Sequence, residues 1–307
     1  MKKIEVIGSS NVDTTLHVKD FPKPGETINA SEVTIAGGGK GANQAIAAAK
    51  SGADVKFISR IGEDSFGEFM MKQLKSYGVS TDYVETTTGE DTGHAYITLN
   101  ENGQNNIIID HGANYLLNST DVTAASDLIG DIDAVIAQFE TPLEATITAF
   151  RIAKKQGAVT ILNPAPAISD IPVQLLELTD LITPNETESA VITGIPINNE
   201  HNLKNNAAKL HELGIPNVVI TYGDKGSYIS TSKIEKLVPP FKVQATDTTG
   251  AGDTFIGYLA SKLKNDFSNI EQAAIFASRA SSIAVQRLGA QPSIPTVNEV
   301  NELMESK

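Results

Sequence analysis

The 307-residue sequence predicts an α/β fold: a doubly wound, mostly parallel β-sheet flanked by helices, with a small β-sheet as a lid. Three observations support this prediction. From residue 134 onward, short apolar strands alternate with helical patterns. Two strand-rich pieces, about 14–35 and 93–110, are separated by a strand–helix unit and can meet as a second sheet. Glycine-rich turns open into helices at 37–41 and 250–252, which is typical of α/β proteins that bind ligands at strand ends.

Composition narrows the class of protein. The chain is 40% hydrophobic and 20% charged, and no apolar run approaches the roughly 18 residues that a membrane helix needs. A net charge of −13 argues against broad binding of nucleic acids. The absence of cysteine excludes disulfides, thiol nucleophiles and cysteine-based zinc sites, and the five histidines show no metal-ligand spacing.

No repeat, low-complexity segment or long linker interrupts residues 1–307, so we expect one continuous domain with the lid strands inserted. The N-terminal segment is too short in its apolar part, and too quickly acidic, to be a secretory signal. We therefore expect a cytoplasmic protein.

The first strand, Ile4–Ser9, is followed by two polar residues that are candidates for ligand binding. Asn11 and Asp13 come at the carboxyl end of this strand, the edge where open α/β sheets bind ligands. The alternative is that they only build a turn. Beyond them, residues 14–35 read as short strands broken by a turn at 21–25, with no helix.

The glycine-rich stretch 36–44 opens into an alanine-rich helix, Ala45–Ser51. Its glycines allow a ligand to lie against bare backbone, with Lys40 and Asn43 as the long polar side chains beside it. The stretch does not match the Walker A pattern, and flexibility alone is the competing explanation.

The middle of the chain supplies further strands and helices in alternation. The predicted strands are Val55–Ile61, His94–Leu99, Asn105–Ile109, Ala134–Gln138, Val159–Asn163, Leu181–Thr183, Asn217–Thr221 and Ser227–Ser230. The predicted helices are Ser65–Tyr77, Leu143–Gln156, Thr254–Leu263, Ile270–Gln286 and Thr296–Met304. A further helix begins near Asn185, with Glu188 as its capping-box partner. The tight turn 222–226 implies another ligand edge.

The stretch Ala245–Phe255 is the strongest candidate for chemistry. Gly250, Ala251 and Gly252 present backbone N–H groups at the start of a helix, where the helix dipole favours a phosphoryl group. Asp253 follows and can take the proton from a hydroxyl that attacks phosphorus. The alternative is that Asp253 only stabilises the first helical turn electrostatically.

Five motifs occur together in the order seen in the ribokinase-like carbohydrate kinases, and the chain resembles this family from Ile4 to Pro295. The motifs are Asn11-Val12-Asp13, Gly38 to Gln44, Asn163 to Pro166, Thr183 to Glu188 and Asp247 to Phe255. The resemblance implies ATP-dependent phosphorylation of D-ribose at its 5-hydroxyl, with Asp253 as the base and the amides of Gly250 to Gly252 as an anion hole. The alternatives are a kinase for another small sugar or nucleoside, such as deoxyribose, fructose or pseudouridine, and a non-catalytic sugar-binding regulator.

The resemblance also implies which residues bind each ligand. Those implied for the sugar are Asn11, Val12, Asp13, Gly39, Lys40, Gly41, Ala42, Asn43, Glu140 and Asp253. Those implied for ATP are Asn185, Thr221, Tyr222, Gly223, Asp224, Lys225, Gly226, Gly252, Asp253 and Ser278.

Two cations and a dimer are implied in the same way. Mg²⁺ accompanies ATP, and Glu188 influences its binding indirectly. A monovalent activator, usually K⁺, is implied at Asp247, Thr249, Ala284, Arg287, Gly289 and Ser293. The lid sheet covers the sugar in this family and commonly pairs two subunits, so a homodimer is expected.

Overall fold

The computed structural model describes residues 1–305 (only the backbone for Leu128). Strands β1 to β13 are Lys3–Ile7, Asn11–Val18, Glu32–Gly38, Asp54–Gly62, Ser80–Thr87, Gly93–Asn100, Asn105–Asp110, Ala134–Ala137, Val159–Leu162, Leu181–Ile182, Asn217–Thr221, Ser227–Ser230 and Glu235–Val238. Helices α1 to α10 are Lys40–Lys50, Ser65–Ser76, Ser119–Ile129, Leu143–Gln156, Val173–Glu177, Glu186–Thr193, Glu200–Glu212, Ala251–Lys262, Ile270–Ala284 and Val297–Glu305. In these described residues, no helix is long and apolar enough to cross a membrane.

The large sheet has nine strands in the order β13-β12-β11-β10-β9-β8-β1-β4-β5. The strands from β11 to β5 pair in parallel, whereas β12 and β13 are antiparallel at one edge. Helices cover both faces, so alternate residues of a central strand enter different cores. In β1, Ile4 and Val6 lie in one apolar cluster and Ile7 lies in the other. The predicted doubly wound, mostly parallel sheet is confirmed.

The small sheet has four strands in the order β3-β2-β6-β7, drawn from the two predicted strand-rich pieces. β2 pairs in parallel with β6 and antiparallel with β3, and β6 and β7 form the predicted hairpin. Asn11 and Asp13 are the first and third residues of β2, so they lie in a strand and not in a turn.

The helices α1 and α8 pack unusually closely, and both begin earlier than the sequence predicts, at Lys40 and Ala251. A Cβ at Gly257 of α8 would lie 2.5 Å from the Cβ of Ala47 in α1, so glycine against alanine is what permits this approach. The close packing brings the first turns of the two helices together.

Five elements that the sequence analysis leaves unassigned are β5, β13, α3, α5 and α7. Helix α3 begins with a capping box between Asn118 and Asp121, and Asn199 caps α7. The predicted capping box of α6 is present between Asn185 and Glu188.

Candidate active site

The candidate site lies where α1 and α8 begin, beyond the carboxyl end of β1. The N–H of Ala42 donates to the carbonyl of Ser9 at 2.9 Å, which holds the first turn of α1 against the chain leaving β1. A Cβ at Gly41 would lie 2.6 Å from the backbone nitrogen of Ser9, so only glycine permits this contact. Gly39, just before α1, has a φ of 86°, which favours glycine. The glycine turn therefore fits against the chain's own backbone.

Asp253 is held in the first turn of α8 by two amide donors from α1. Asn43 Nδ2 donates to Oδ2 of Asp253 at 3.0 Å, and Gln44 Nε2 donates to Oδ1 at 2.9 Å. The aspartate is 8% exposed. Each carboxylate oxygen retains a free lone pair, so the group is oriented and can still accept a proton.

A chain of buried amides behind Asp253 fixes Gln44. Gln138 Nε2 donates to Gln44 Oε1 at 2.7 Å, and Gln44 Nε2 also donates to Asn163 Oδ1 at 3.0 Å. Asn163 Nδ2 in turn donates to the carbonyl of Thr183 at 3.2 Å. The sequence analysis missed this role of Gln138, although a glutamine at the end of an apolar strand was a signal.

The start of α8 offers backbone N–H groups to an anion. Gly250 has a φ of 73° and Ala251 N–H donates to the carbonyl of Thr248 at 3.2 Å. Among residues 1–305, the N–H groups of Gly252 and Asp253 have no hydrogen-bond partner. A Cβ at Gly252 would point into open space, so packing of the chain's own atoms does not require this glycine. Of the three N–H groups predicted to bind an anion, that of Gly252 is thus unpaired, together with the N–H of Asp253. The N–H of Ala251 would first have to leave the carbonyl of Thr248.

Glu140 links the sheet to the glycine turn. Its Oε2 accepts the hydroxyl of Ser9 at 2.5 Å and the N–H of Lys40 at 3.0 Å. The glutamate is 6% exposed, and its Oε1 is free of these two bonds. Ser9 is a further supporting residue that the sequence analysis missed.

Several carboxylates of the candidate site lie close enough to the ammonium group of Lys40, and to Asp13, to shift the pKa values of these two groups. Burial, followed by the charges of Glu140 and Asp253, raises the pKa of Asp13 to about 6. Burial opposes the charge of Lys40, but Asp253, Glu140 and Glu188 together raise its pKa. Lys40 is therefore a half-buried cation near three carboxylates, which lie after β8, on α8 and on α6.

The small sheet adds an apolar surface that the sequence analysis missed. Strand register places Ala95 beside Asp13, and Ile109 beside Ala95. Ile97 lies two residues along β6 and shares their face, because side chains alternate along a strand. Asn11, Asp13, Ala95, Ile97 and Ile109 thus share one face, polar at one end and apolar at the other. In contrast, Val12 and Ala42 bury their side chains in the core and can offer only backbone to a ligand.

The residues implied for the nucleotide lie at the carboxyl ends of β10 and β11 and on α9. Asn185 and Thr221 form a parallel bridge, and Thr221 N–H donates to the carbonyl of Pro184 at 2.9 Å. Tyr222 N–H donates to the carbonyl of Gly226 at 2.8 Å and closes the turn 222–226. On α9, the half-buried Ser278 lies one turn before Ser281, whose hydroxyl donates to the Ala251 carbonyl at 2.9 Å.

Glu188 does not form part of a closed metal cage. Its Oε2 accepts the N–H of Asn185 at 2.8 Å in the capping box, and burial raises its pKa despite the nearby Lys40. Within residues 1–305 there is no cluster of three or more His, Asp or Glu side chains that could hold a metal ion. This donor set fits an ion held chiefly by phosphate oxygens and water, which is the usual mode of Mg²⁺.

The loops implied for a monovalent cation are tied together by Asp247. Its Oδ1 accepts the N–H and hydroxyl of Thr249 at 2.9 and 2.7 Å, and its Oδ2 accepts the N–H of Gly289 at 2.8 Å. Burial acts against the ionised form, but these hydrogen bonds lower the pKa of Asp247. The guanidinium of Arg287 pairs with Glu299 of α10 at 2.5 Å. Because a guanidinium is itself a cation, Arg287 could bind a metal ion only through its main-chain carbonyl oxygen. An anionic carboxylate among carbonyl and hydroxyl oxygens fits a hard cation.

Comparison with known proteins places these features in a family context. The family model described as "pfkB family carbohydrate kinase" matches residues 1–297. A bifunctional ribokinase/ribose-5-phosphate isomerase A of Fructilactobacillus sanfranciscensis is 50% identical over 307 residues, which cover 98% of this chain and 57% of that protein. A ribokinase of Staphylococcus aureus is 45% identical over 302 residues, 98% of this chain and 99% of its relative. The structure of Arabidopsis thaliana ribokinase complexed with ribose and ATP has a TM-score of 0.88 and 34% identity, and covers 99% of each chain.

Proposed function

Because this chain belongs to the pfkB family of carbohydrate kinases, we propose that it transfers the γ-phosphoryl group of ATP to the 5-hydroxyl of D-ribose. The products are D-ribose 5-phosphate and ADP. The similarity to ribokinases over nearly the whole chain, one of them solved with ribose and ATP, supports both substrates.

One observation carries the mechanism: the carboxylate of Asp253 is held by α1 next to the unpartnered N–H groups that begin α8. Asp253 accepts the proton of the sugar's 5-hydroxyl while the hydroxyl oxygen attacks the γ-phosphorus. The bond between the γ-phosphorus and the β–γ bridging oxygen breaks, and that oxygen leaves with ADP. The N–H groups of Gly252 and Asp253 stabilise negative charge on the transferring group. Lys40 supplies positive charge between sugar and phosphates.

The sugar side is built to recognise several hydroxyls at once. Asp13 and Glu140 offer acceptors, whereas Asn11 and Asn43 carry amides that can donate or accept. The apolar face of Ala95, Ile97 and Ile109 suits the carbon face of a furanose. A sugar that lacks a hydroxyl would leave buried polar groups unpaired, which is the physical basis of discrimination.

The nucleotide side comprises Asn185, Ser278 and the turn 221–226. Mg²⁺ bound with ATP would neutralise charge on the nucleotide phosphates, and Glu188 would influence its binding indirectly. A monovalent cation at the loops joined by Asp247 would hold the start of α8 in place, because Asp247 lies three residues before Gly250.

The small sheet acts as the lid of a single kinase domain, with its segments at about 14–35 and 93–110. Its outer face carries Val33, Ile35, Tyr96 and Ile108, which are between 46% and 71% exposed. Strand register pairs Tyr96 with Ile108 and places Thr14 between Tyr96 and Ile35. An exposed apolar patch of this kind suits self-association, and we propose a homodimer through the lid. We place the enzyme in the cytoplasm, as its ribose- and ATP-using chemistry suggests.

The test is ADP formation from ATP and Mg²⁺ with ribose, deoxyribose, fructose, adenosine and pseudouridine, in potassium and in sodium. Fastest turnover with ribose, and a higher rate in potassium, supports the proposal. Faster turnover of another compound overturns the substrate, and sugar binding without any turnover favours a regulator.

A further inference from the structure

Asn114 is a buried asparagine whose role lies outside the sites described so far. It sits in the short 3₁₀ helix Gly112–Leu116, which follows β7, and it is 1% exposed. The N–H of Ala113 donates to the carbonyl of Asp91 at 2.8 Å, which anchors this segment to the chain before β6. Its side chain points at the start of β2, where Asn11 lies.

The hydrogen bonds of Asn114 have a fixed direction. The N–H of Ser10 can only donate, and it lies 2.8 Å from Asn114, so the atom that faces it is the carbonyl oxygen Oδ1. The other end of the amide is then Nδ2, which donates to Asn11 at 2.7 Å. The atom of Asn11 that receives this bond must be Oδ1. The Nδ2 of Asn11 is consequently the end left for a ligand.

The opposite polarity follows for Asn43 by the same argument. The carboxylate of Asp253 can only accept, so Asn43 faces it with Nδ2. The Oδ1 of Asn43 is buried and has no hydrogen-bond partner in the described chain. Two amides of the sugar site thus present complementary groups, a donor from Asn11 and an acceptor from Asn43.

The backbone of β6 packs closely against the pair. A Cβ at Gly93 would lie 2.0 Å from Asn114 Nδ2 and 2.4 Å from Asn11 Oδ1. Glycine at 93 therefore lets the two amides lie against the backbone of β6. The pair is enclosed on the side away from the sugar.

We propose that Asn114 is a positioning residue which locks the amide of Asn11 with its Nδ2 toward the sugar, so that Asn11 donates to a ribose hydroxyl. The inference rests on the proposed function for the identity of the sugar. Asn114 does not touch the substrate and acts only through Asn11.

The experiment is a double-mutant cycle on the full-length protein, with Asn11→Ala, Asn114→Asp and the combined variant. Asn114→Asp keeps an acceptor for Ser10 but loses the donor to Asn11, whose amide is then free to turn. We expect ribose affinity, measured by calorimetry, to fall about tenfold in Asn114→Asp, and the KM for ATP to stay within about twofold. In the Asn11→Ala background, the same change should alter ribose affinity by less than about twofold.

Asn114→Ala tests the same point without a new charge, and Asn206→Asp is the matched control for loss of a buried amide. Asn206 is fully buried in α7 and bonds to Ser189 and Thr193 of α6, so it contacts none of the residues implied for the sugar. The control should lower the melting temperature but not ribose affinity. Unchanged ribose affinity in both folded Asn114 variants, or an undiminished effect in the Asn11→Ala background, would overturn the inference. If the unmodified protein binds another sugar of the panel instead of ribose, the proposed substrate fails, and the cycle is read with that sugar.

Discussion

Replacement of Asp253 by asparagine is expected to remove most of the turnover while retaining most of the sugar binding. Asparagine keeps the shape of the side chain but has one acceptor end and one donor end. Gln44 is locked by Gln138 and Asn163, so it continues to present its Nε2 and attracts the oxygen of the new amide. The NH₂ group of the new residue then faces Asn43, whose unpartnered Oδ1 allows its amide to turn and accept.

The magnitudes differ for binding and for chemistry. The turned Asn43 presents the wrong group to the sugar, which costs about one hydrogen bond, or a factor of roughly 5–10 in ribose affinity. Loss of the proton acceptor should lower kcat by about 10²–10⁴-fold. The ratio of these two effects is the quantity that identifies Asp253 as the base.

The assay combines ADP formation under saturating ribose and ATP with calorimetric titration of ribose. Asn43→Ala is the matched control, because it perturbs the same hydrogen bond without removing the base. It should weaken ribose binding comparably and reduce kcat far less. A kcat for Asp253→Asn within about tenfold of the unmodified enzyme, which is less than a general base contributes, would refute the assignment. Equal losses in kcat and in affinity would do the same.

Three further predictions concern the glycine turn, the cation loops and the core. Gly38→Ala would place a Cβ 2.3 Å from both carboxylate oxygens of Asp13. We therefore expect kcat/KM for ribose to fall about 10²-fold while the KM for ATP is unchanged. An unchanged kcat/KM for ribose would contradict this contact. Asp247→Asn should make the rates in potassium and sodium equal, and a persisting difference would show that the cation binds elsewhere. Glu5 is 2% exposed and burial raises its pKa from 4.5 to about 8, so its contribution to stability is full below pH 4.5 and is lost as the pH rises toward 8. The free energy of unfolding of Glu5→Gln, compared with that of the unmodified protein, should therefore be higher at pH 7 than at pH 4.5 by on the order of 3 kcal/mol, measured by urea unfolding. Parallel pH profiles for the two proteins would rule this out.

The sequence was informative where function depends on backbone shape. Glycines at 39 and 250 have positive φ, and Gly41 allows close backbone approach, so residue identity alone marked the two turns that lead into α1 and α8, although both helices begin a few residues earlier than predicted. The alternation of strands and helices likewise predicted the large sheet, and the hairpin pattern predicted half of the small one. These features depend on residues that are close together in the sequence, so a sequence pattern can predict them.

What the sequence left open were partnerships between distant segments. Gln138 comes at the end of an apolar strand, which marks it as a polar residue at the sheet edge but does not show that Gln44 is its partner. Nothing in the neighbours of Ser9 and Asn114 along the chain indicates that they support Glu140 and Asn11. The face shared by Ala95, Ile97 and Ile109 depended on strand register, which a sequence pattern does not specify between β2 and β6.

The sequence by itself determined the fold class, the two glycine-rich turns that lead into helices and the candidate base, because glycine, strand period and the position of Asp253 are properties of single segments. Only the tertiary structure decided which ends of the Asn11 and Asn43 amides are left for a ligand. That direction follows from donors and acceptors that can only act one way, the N–H of Ser10 and the carboxylate of Asp253, and these meet their partners only after segments about 100 and 200 residues apart have packed together.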